Sequence, residues 1–200
     1  MAPSARAQSS SLMDRVIEHV LSNGLERTYA PAGHMCVPAR IRGNRMGLVS
    51  ARLKELGLIL PEVGAPSGAY VPYRLSGHTL YISGQVPRVD GVDCYLGLVG
   101  STMNVEEAYQ AARVCALNLL ARAAAALDGD LDRISACLQL RGFVNAVPDF
   151  KDHPAVIDGA SDLLIAVLGE KGHHARTALG AGSLPRGFAV EVDAIFEVQP

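Results

Sequence analysis

Phe188-Ala-Val-Glu-Val-Asp-Ala-Ile-Phe-Glu197 sets Phe188, Val190, Val192, Ala194 and Phe196 on one side of an extended chain. Ala189, Glu191, Asp193, Ile195 and Glu197 fall on the other. A period of two is strand periodicity. One apolar face backed by a mostly acidic one describes a strand whose sheet is covered on one side only. The same alternation recurs upstream, where Ile134, Ala136, Leu138 and Leu140 alternate with Ser135, Cys137, Gln139 and Arg141. These two strands need an apolar cover, and the segment before them supplies one. Ala108, Ala112, Cys115, Ala116, Leu119, Leu120 and Ala123 recur at three- and four-residue steps, one stripe on a long helix. Asn104 or Thr102 caps that helix, Glu106 and Glu107 occupy its first turn, and it ends near Asp128-Gly129. Its many alanines imply close packing on a flat surface, a sheet.

Further out, Tyr70 to Leu75 and Thr79 to Ser83 read as a hairpin turned at Ser76-Gly77-His78. Pro87 to Gly91 reads as a loop, and Tyr95 to Val99 as a weaker third strand. Val156 to Leu168 is a second helix stopped by Gly169, and Thr177 to Leu179 lies in a strand. Leu48 to Leu56 is a short helix closed by Gly57. The order is ββ(β)αβαββ, an α+β domain with a mixed sheet of six short strands and two helices on one face. The uncovered face would carry Cys137, Gln139, Glu191 and Ile195, a mixed polarity suited to a subunit interface.

Composition narrows the function. The 200 residues are 49% hydrophobic and 19% charged, enough for one packed domain and wrong for a disordered chain. A net charge of −2, 5% aromatics and no Trp disfavour a nucleic-acid surface. The longest apolar run, Leu163 to Leu168, is far short of the roughly 18 residues of a membrane span. Cysteines at 36, 94, 115 and 137 have no C-x-x-C spacing and read as small buried hydrophobes in a reducing compartment, hence the cytoplasm. Residues 1–45 differ in kind. They hold six Arg, no Lys and three acids, with a disorder-like opening. They read as a loosely ordered extension, with translation from Met46 or a mitochondrial transit peptide as alternatives. The ordered domain is residues 46–200.

Motifs for phosphate cradles, nucleophile elbows and zinc sites are absent from the sequence. His173 and His174, adjacent on a strand, point to opposite faces, so no metal is expected there. Arg176 stands out, a planar cationic fork at a strand entrance among apolar residues. If 175–181 and 188–197 pair through the Pro185 turn, Arg176 and Glu191 come close. That pair would be either a surface ion pair worth about 0–1 kcal/mol or part of a ligand site.

Gly68-Ala-Tyr70-Val-Pro-Tyr73, Tyr81-Ile-Ser83-Gly84-Gln85-Val-Pro87, Asp149-Phe150, Ala175-Arg176-Thr177-Ala178, Leu184-Pro185 and Val190-Glu191-Val192 occur in that order. Together they resemble the YjgF/YER057c/RidA family, also called endoribonuclease L-PSP, over about residues 46–198. The longer middle, residues 142–162, is similar to a divergent branch. The resemblance implies a chorismate mutase-like fold and a homotrimer with ligand clefts between subunits. It implies an enamine/imine deaminase that hydrolyses 2-imino acids such as 2-aminoacrylate to 2-keto acids and ammonia, without cofactor. Arg176 would hold the substrate carboxylate and Glu191 would position water or substrate. Tyr70 would border the cleft, Ala178 would contribute backbone groups, and Ser83 lies in the signature strand. Asp158 stands where the family often has Asn, which puts negative charge near Arg176. Alternatives are a non-catalytic small-carboxylate-binding trimer and an RNA-cleaving enzyme; the acidic domain disfavours the latter.

Overall fold

The structure, a computed structural model, describes residues 47–66 and 68–200. The expectations for residues 1–45 and Cys36 lie outside the described residues. In chain order the elements are α1 (Leu48–Glu55), β1 (Tyr73–Ser76), β2 (Thr79–Gln85), β3 (Arg88–Val89), β4 (Val92–Asp93), α2 (Val105–Ala126), β5 (Ile134–Asn145), α3 (His153–Leu168), β6 (Ala175–Ala181) and β7 (Val190–Val198). A five-stranded mixed sheet runs in the order β1-β2-β7-β5-β6. Within this sheet of described strands only β5 and β6 pair parallel, joined through α3. β3 and β4 form a separate small hairpin.

The central strand follows its sequence pattern. Val190, Val192, Ala194, Phe196 and Val198 are all buried, under α2. Helix α2 opens on a capping box: the Glu107 amide donates to Asn104 Oδ1 at 2.8 Å, and the Asn104 amide donates to Glu107 Oε2 at 2.8 Å. Its alanines let α3 approach closely. At Gly159 the space a Cβ would fill is taken by the Tyr109 backbone carbonyl of α2. Helix α1 is tied to the domain by Asp132, whose carboxylate accepts from the Leu48 and Val49 amides at 2.7 and 2.8 Å. This satisfies donors that a helix start leaves open. No described helix is long and apolar enough to cross a membrane.

The α+β class, mixed sheet and helix-covered face agree with the sequence reading, and four details differ. Tyr95 to Val99 forms no ladder strand; it contributes the isolated bridges Leu96 to Phe188, Val99 to Met103 and Val99 to Ala146. The Pro87–Gly91 stretch instead begins the β3–β4 hairpin. Within β5, bulges near Ser135 and Leu138 shift the alternation against β7. Cys137 therefore turns into the core at 2% exposure, and Leu138 turns out at 43%. The pairing of residues 175–181 with 188–197 does not occur either, because β5 lies between them.

That last difference separates two predicted residues. Arg176 is in register with Leu140, which is fully buried under the helices. Glu191 is in register with Phe143, three positions on and thus on the opposite face. The open face also presents exposed Tyr81 and Leu179, together with an Arg141–Asp193 ion pair at 2.9 Å.

The α2–α3 contact is the least forgiving in the fold. Gly159→Ala should destabilise the protein by about 1–3 kcal/mol, the usual cost of overpacking, measured by urea unfolding; an unchanged midpoint would show that the helices part freely.

Candidate functional site

Strand β2 carries the signature Ser83-Gly84-Gln85, and its pairing to β7 slips between Ile82 and Gln85. The irregularity leaves carbonyls without ladder partners, and Gln85 supplies them. Its Nε2 donates to Ser83 O at 2.8 Å and Gly84 O at 3.0 Å. Ser83 acts one step away from the cleft. Its hydroxyl donates to Val71 O at 2.9 Å and its amide to Pro72 O at 3.0 Å, anchoring the segment that carries Tyr70. Gly84 is glycine for a visible reason: a Cβ there would collide with the Glu191 carboxylate.

Glu191 therefore lies across the bulge, and it lines a cavity of about 270 Å³ with Tyr70, Gln85, Asn118 and Arg122. Burial pushes its carboxyl above the usual range, and the neighbouring Asp193 charge pushes the same way. The cavity wall opposite β2 comes from α2. Asn118 donates through Nδ2 to Val86 O at 3.1 Å and Arg88 O at 2.8 Å, fixing the chain that leaves β2. Arg122, one helical turn on, donates from Nε to Gln85 Oε1 at 3.3 Å and from Nη1 to Gly64 O at 2.7 Å. Arg88 and Arg186 reach the rim, and both pair with Asp93.

A second cluster forms on the helix side of the sheet edge. Arg176 Nη1 donates to Asp158 Oδ1 at 2.7 Å and to Ser161 Oγ at 3.1 Å. Ser161 Oγ is 3.0 Å from His174 Nε2, and His174 Nδ1 is 2.6 Å from Gly172 O. Donation from Nδ1 to the carbonyl leaves Nε2 to accept the serine hydroxyl. Burial lowers the His174 pKa against the raising effect of that carbonyl, and the Arg176 charge lowers it further. Ala178 pairs with Gly142 and packs against the core.

Tyr70 and Glu191 thus share one cleft, with Ser83 supporting it from behind. Arg176, Asp158 and Ala178 belong to the other cluster. The sequence reading missed Asn118 and Arg122. Their signal was present: two polar residues four apart interrupt an otherwise apolar stretch of α2.

A raised carboxyl pKa has a stability consequence of definite sign. The native state keeps the Glu191 proton to higher pH than the unfolded chain, whose value is near 4.5. Below that value both states are protonated and nothing is lost; as pH rises above it, the native state loses stability relative to the unfolded one. Glu191→Gln should melt higher than wild type at neutral pH and at nearly the same temperature near about pH 4. An equal gain at both values would mean that the carboxyl is not strained by burial.

Comparison with known proteins supports one family throughout. Residues 50–192 match the family described as "YjgF/chorismate mutase-like, putative endoribonuclease". Protein TCP17 of Trypanosoma cruzi is 46% identical over 153 residues, covering 76% of this chain and 95% of that protein. The crystal structure of Atu1372 from Agrobacterium tumefaciens is 48% identical, covers 76% of this chain and 93% of its own, and superposes with a TM-score of 0.71. A Shewanella oneidensis structure, described in the same words as an endoribonuclease, is 37% identical over 75% of this chain and 99% of its own, with a TM-score of 0.73. With its central strand, signature bulge and cleft now located, the chain belongs to the YjgF/chorismate mutase-like family.

Proposed function

We propose that this protein is a RidA-like enamine/imine deaminase, converting reactive 2-imino acids such as 2-aminoacrylate, after tautomerisation, to 2-keto acids and ammonia. The observation that carries the reading is Glu191, a half-buried carboxyl of raised pKa on the wall of a small cavity. A carboxyl whose proton affinity is raised by burial serves as both acid and base.

The chemistry balances with that one group. Glu191 gives its proton to the imine nitrogen. Its carboxylate then takes a proton from the water that bonds to C2, forming an amino alcohol. The same proton passes to nitrogen as the C–N bond breaks, and the hydroxyl proton of the intermediate leaves to restore the carboxyl. The sum is imine plus water to 2-keto acid plus ammonia. A cavity of about 270 Å³ suits a substrate of this size better than a polymer.

Arg176 enters this reading through assembly. It and Glu191 face opposite sides of the sheet in one chain, so a site using both needs a second copy. We therefore propose a homotrimer with inter-subunit sites, in which the β6 edge of one subunit meets the cleft of the next. The exposed, mixed-polarity sheet face is the surface available for it. The described thiols, Cys94, Cys115 and Cys137, are buried with raised pKa values, in keeping with a cytoplasmic setting.

The test couples a PLP-dependent serine or threonine dehydratase to this protein and follows 2-keto acid release. Wild type should accelerate release, and Glu191→Gln should lose about 100-fold or more of that acceleration, the contribution of one acid-base group. Equal acceleration by both would remove Glu191 from the chemistry. No acceleration by folded wild-type trimer would make the protein a non-catalytic binder of small carboxylates.

A further inference from the structure

We propose that His174 is a positioning residue: through Ser161 it holds the Arg176 guanidinium in one orientation, and its protonation releases that hold. The proposal rests on the reading above, in which Arg176 completes a site across subunits, and adds the group that aims it.

The placement follows from the sequence. His174 and Arg176 are two residues apart where the chain enters β6, so extended backbone turns both to the same face. His173, one residue earlier, is exposed and lies 4.0 Å from Glu170. Asp158 and Ser161 are three apart on α3, and both reach Arg176 from that helix. Ser161 is buried. A buried helical serine can fall back on the carbonyl one turn earlier. The Ser161 hydroxyl instead lies between His174 and Arg176.

Every bond in this chain has a fixed direction. Gly172 O can only accept, so His174 Nδ1, 2.6 Å away, carries the ring proton. In the neutral ring Nε2 is then an acceptor, and the single hydroxyl proton of Ser161 goes to it across 3.0 Å. The serine oxygen is left to accept from Arg176 Nη1 at 3.1 Å. Asp158 Oδ1 takes the other proton of Nη1 at 2.7 Å. With both of those protons committed, the plane of the guanidinium is set. Among the described residues Nε and Nη2 make no hydrogen bond, so their three protons stay available to a substrate.

Protonation reverses one link. With both ring nitrogens donating, Nε2–H and Arg176 Nη1–H point at the same serine oxygen, and two cations meet through one atom. Burial opposes a charge on His174 most strongly, the Gly172 carbonyl favours it, and the charges of Arg176 and His173 oppose it. The other charged groups of the surrounding elements are engaged elsewhere. On α3, Asp158 is paired with Arg176, and Asp162 accepts from the Tyr109 hydroxyl at 2.9 Å. In the turn before β6, Glu170 faces His173, and Lys171 donates to the Asp132 and Ile134 carbonyls. On β5, Arg141 is paired with Asp193. His174 is therefore neutral at neutral pH with the chain intact, and acid opens it.

The experiment takes two readouts from the full-length protein. NMR of isotope-labelled protein follows the His174 ring nitrogens and the Arg176 Nε–H signal from about pH 8 down to about pH 5, the range in which histidine titrates. At neutral pH His174 should carry its proton on Nδ1. On acidification both residues should change with one midpoint, below the ordinary histidine value of 6.5. Ser161→Ala should leave His174 titrating and abolish the response of Arg176, an uncoupling that a merely structural histidine would not show. In the coupled assay of 2-keto acid release at neutral pH, His174→Leu should lose about tenfold of the acceleration, the worth of one hydrogen bond to a charged group. His174→Gln keeps an acceptor near the Nε2 position and should lose about twofold or less. An Arg176 signal that ignores pH in wild type, or still follows His174 in Ser161→Ala, would overturn the proposal, whether or not His174→Leu folds. No acceleration by wild type would overturn the deaminase reading alone, and the titration still decides the hold of His174 on Arg176.

Discussion

Strand β7 is hydrogen-bonded on both edges, to β2 and β5, while its two faces meet different surroundings. Five apolar side chains on one face are buried, each worth about 1.5–3 kcal/mol when a large one is removed from water. The other face holds Glu191, Asp193 and Glu197 clear of the core. A slip of one residue would bury the carboxylates and expose the core. The register of β7 is therefore strongly held, and Glu191 inherits that certainty. The catalytic candidate is positioned by the same alternation that folds the sheet.

The bulge in β2 is where this rigid frame is opened for a ligand. A regular strand at Ser83-Gly84 would satisfy its own backbone groups and bring a side chain over Glu191. The irregular pairing and the glycine make room for the carboxylate. Gln85 then repairs the hydrogen bonding the bulge disrupts, since unmet buried carbonyls cost about 1–3 kcal/mol each. In the same geometry it turns Arg122 toward the cavity. One local irregularity thus accounts for the space and the restrained carboxyl.

What the sequence revealed follows from the range of each interaction. The Asn104–Glu107 capping box and the alanine stripe of α2 are local, and both were legible. The face of β7 was legible because its alternation is unbroken. The β5 alternation misled, because bulges at Ser135 and Leu138 depend on the partner strand. Strand order was not legible, since nothing in residues 175–197 records that β5 passes between β6 and β7. Arg176 and Glu191 therefore looked like neighbours and are on opposite faces. Tyr70 and Glu191, which line one cavity, were singled out through the family motifs; Arg122 on the same wall was not, because its partners Gln85 and Gly64 are remote in sequence.

The two guanidiniums divide along the same line. Arg176 sits where its charge is met inside its own subunit, by Asp158 at 2.7 Å and the Ser161–His174 chain of hydrogen bonds. An anion approaching it competes with a carboxylate already in place. Arg122 has its direction set by neutral acceptors, an amide oxygen and a carbonyl, so its orientation is fixed while its charge is not cancelled. Fixing a cation with dipoles rather than with a counter-ion leaves its field available in the cavity. With an asparagine at residue 158, Arg176 would keep a hydrogen-bond partner and regain its free charge.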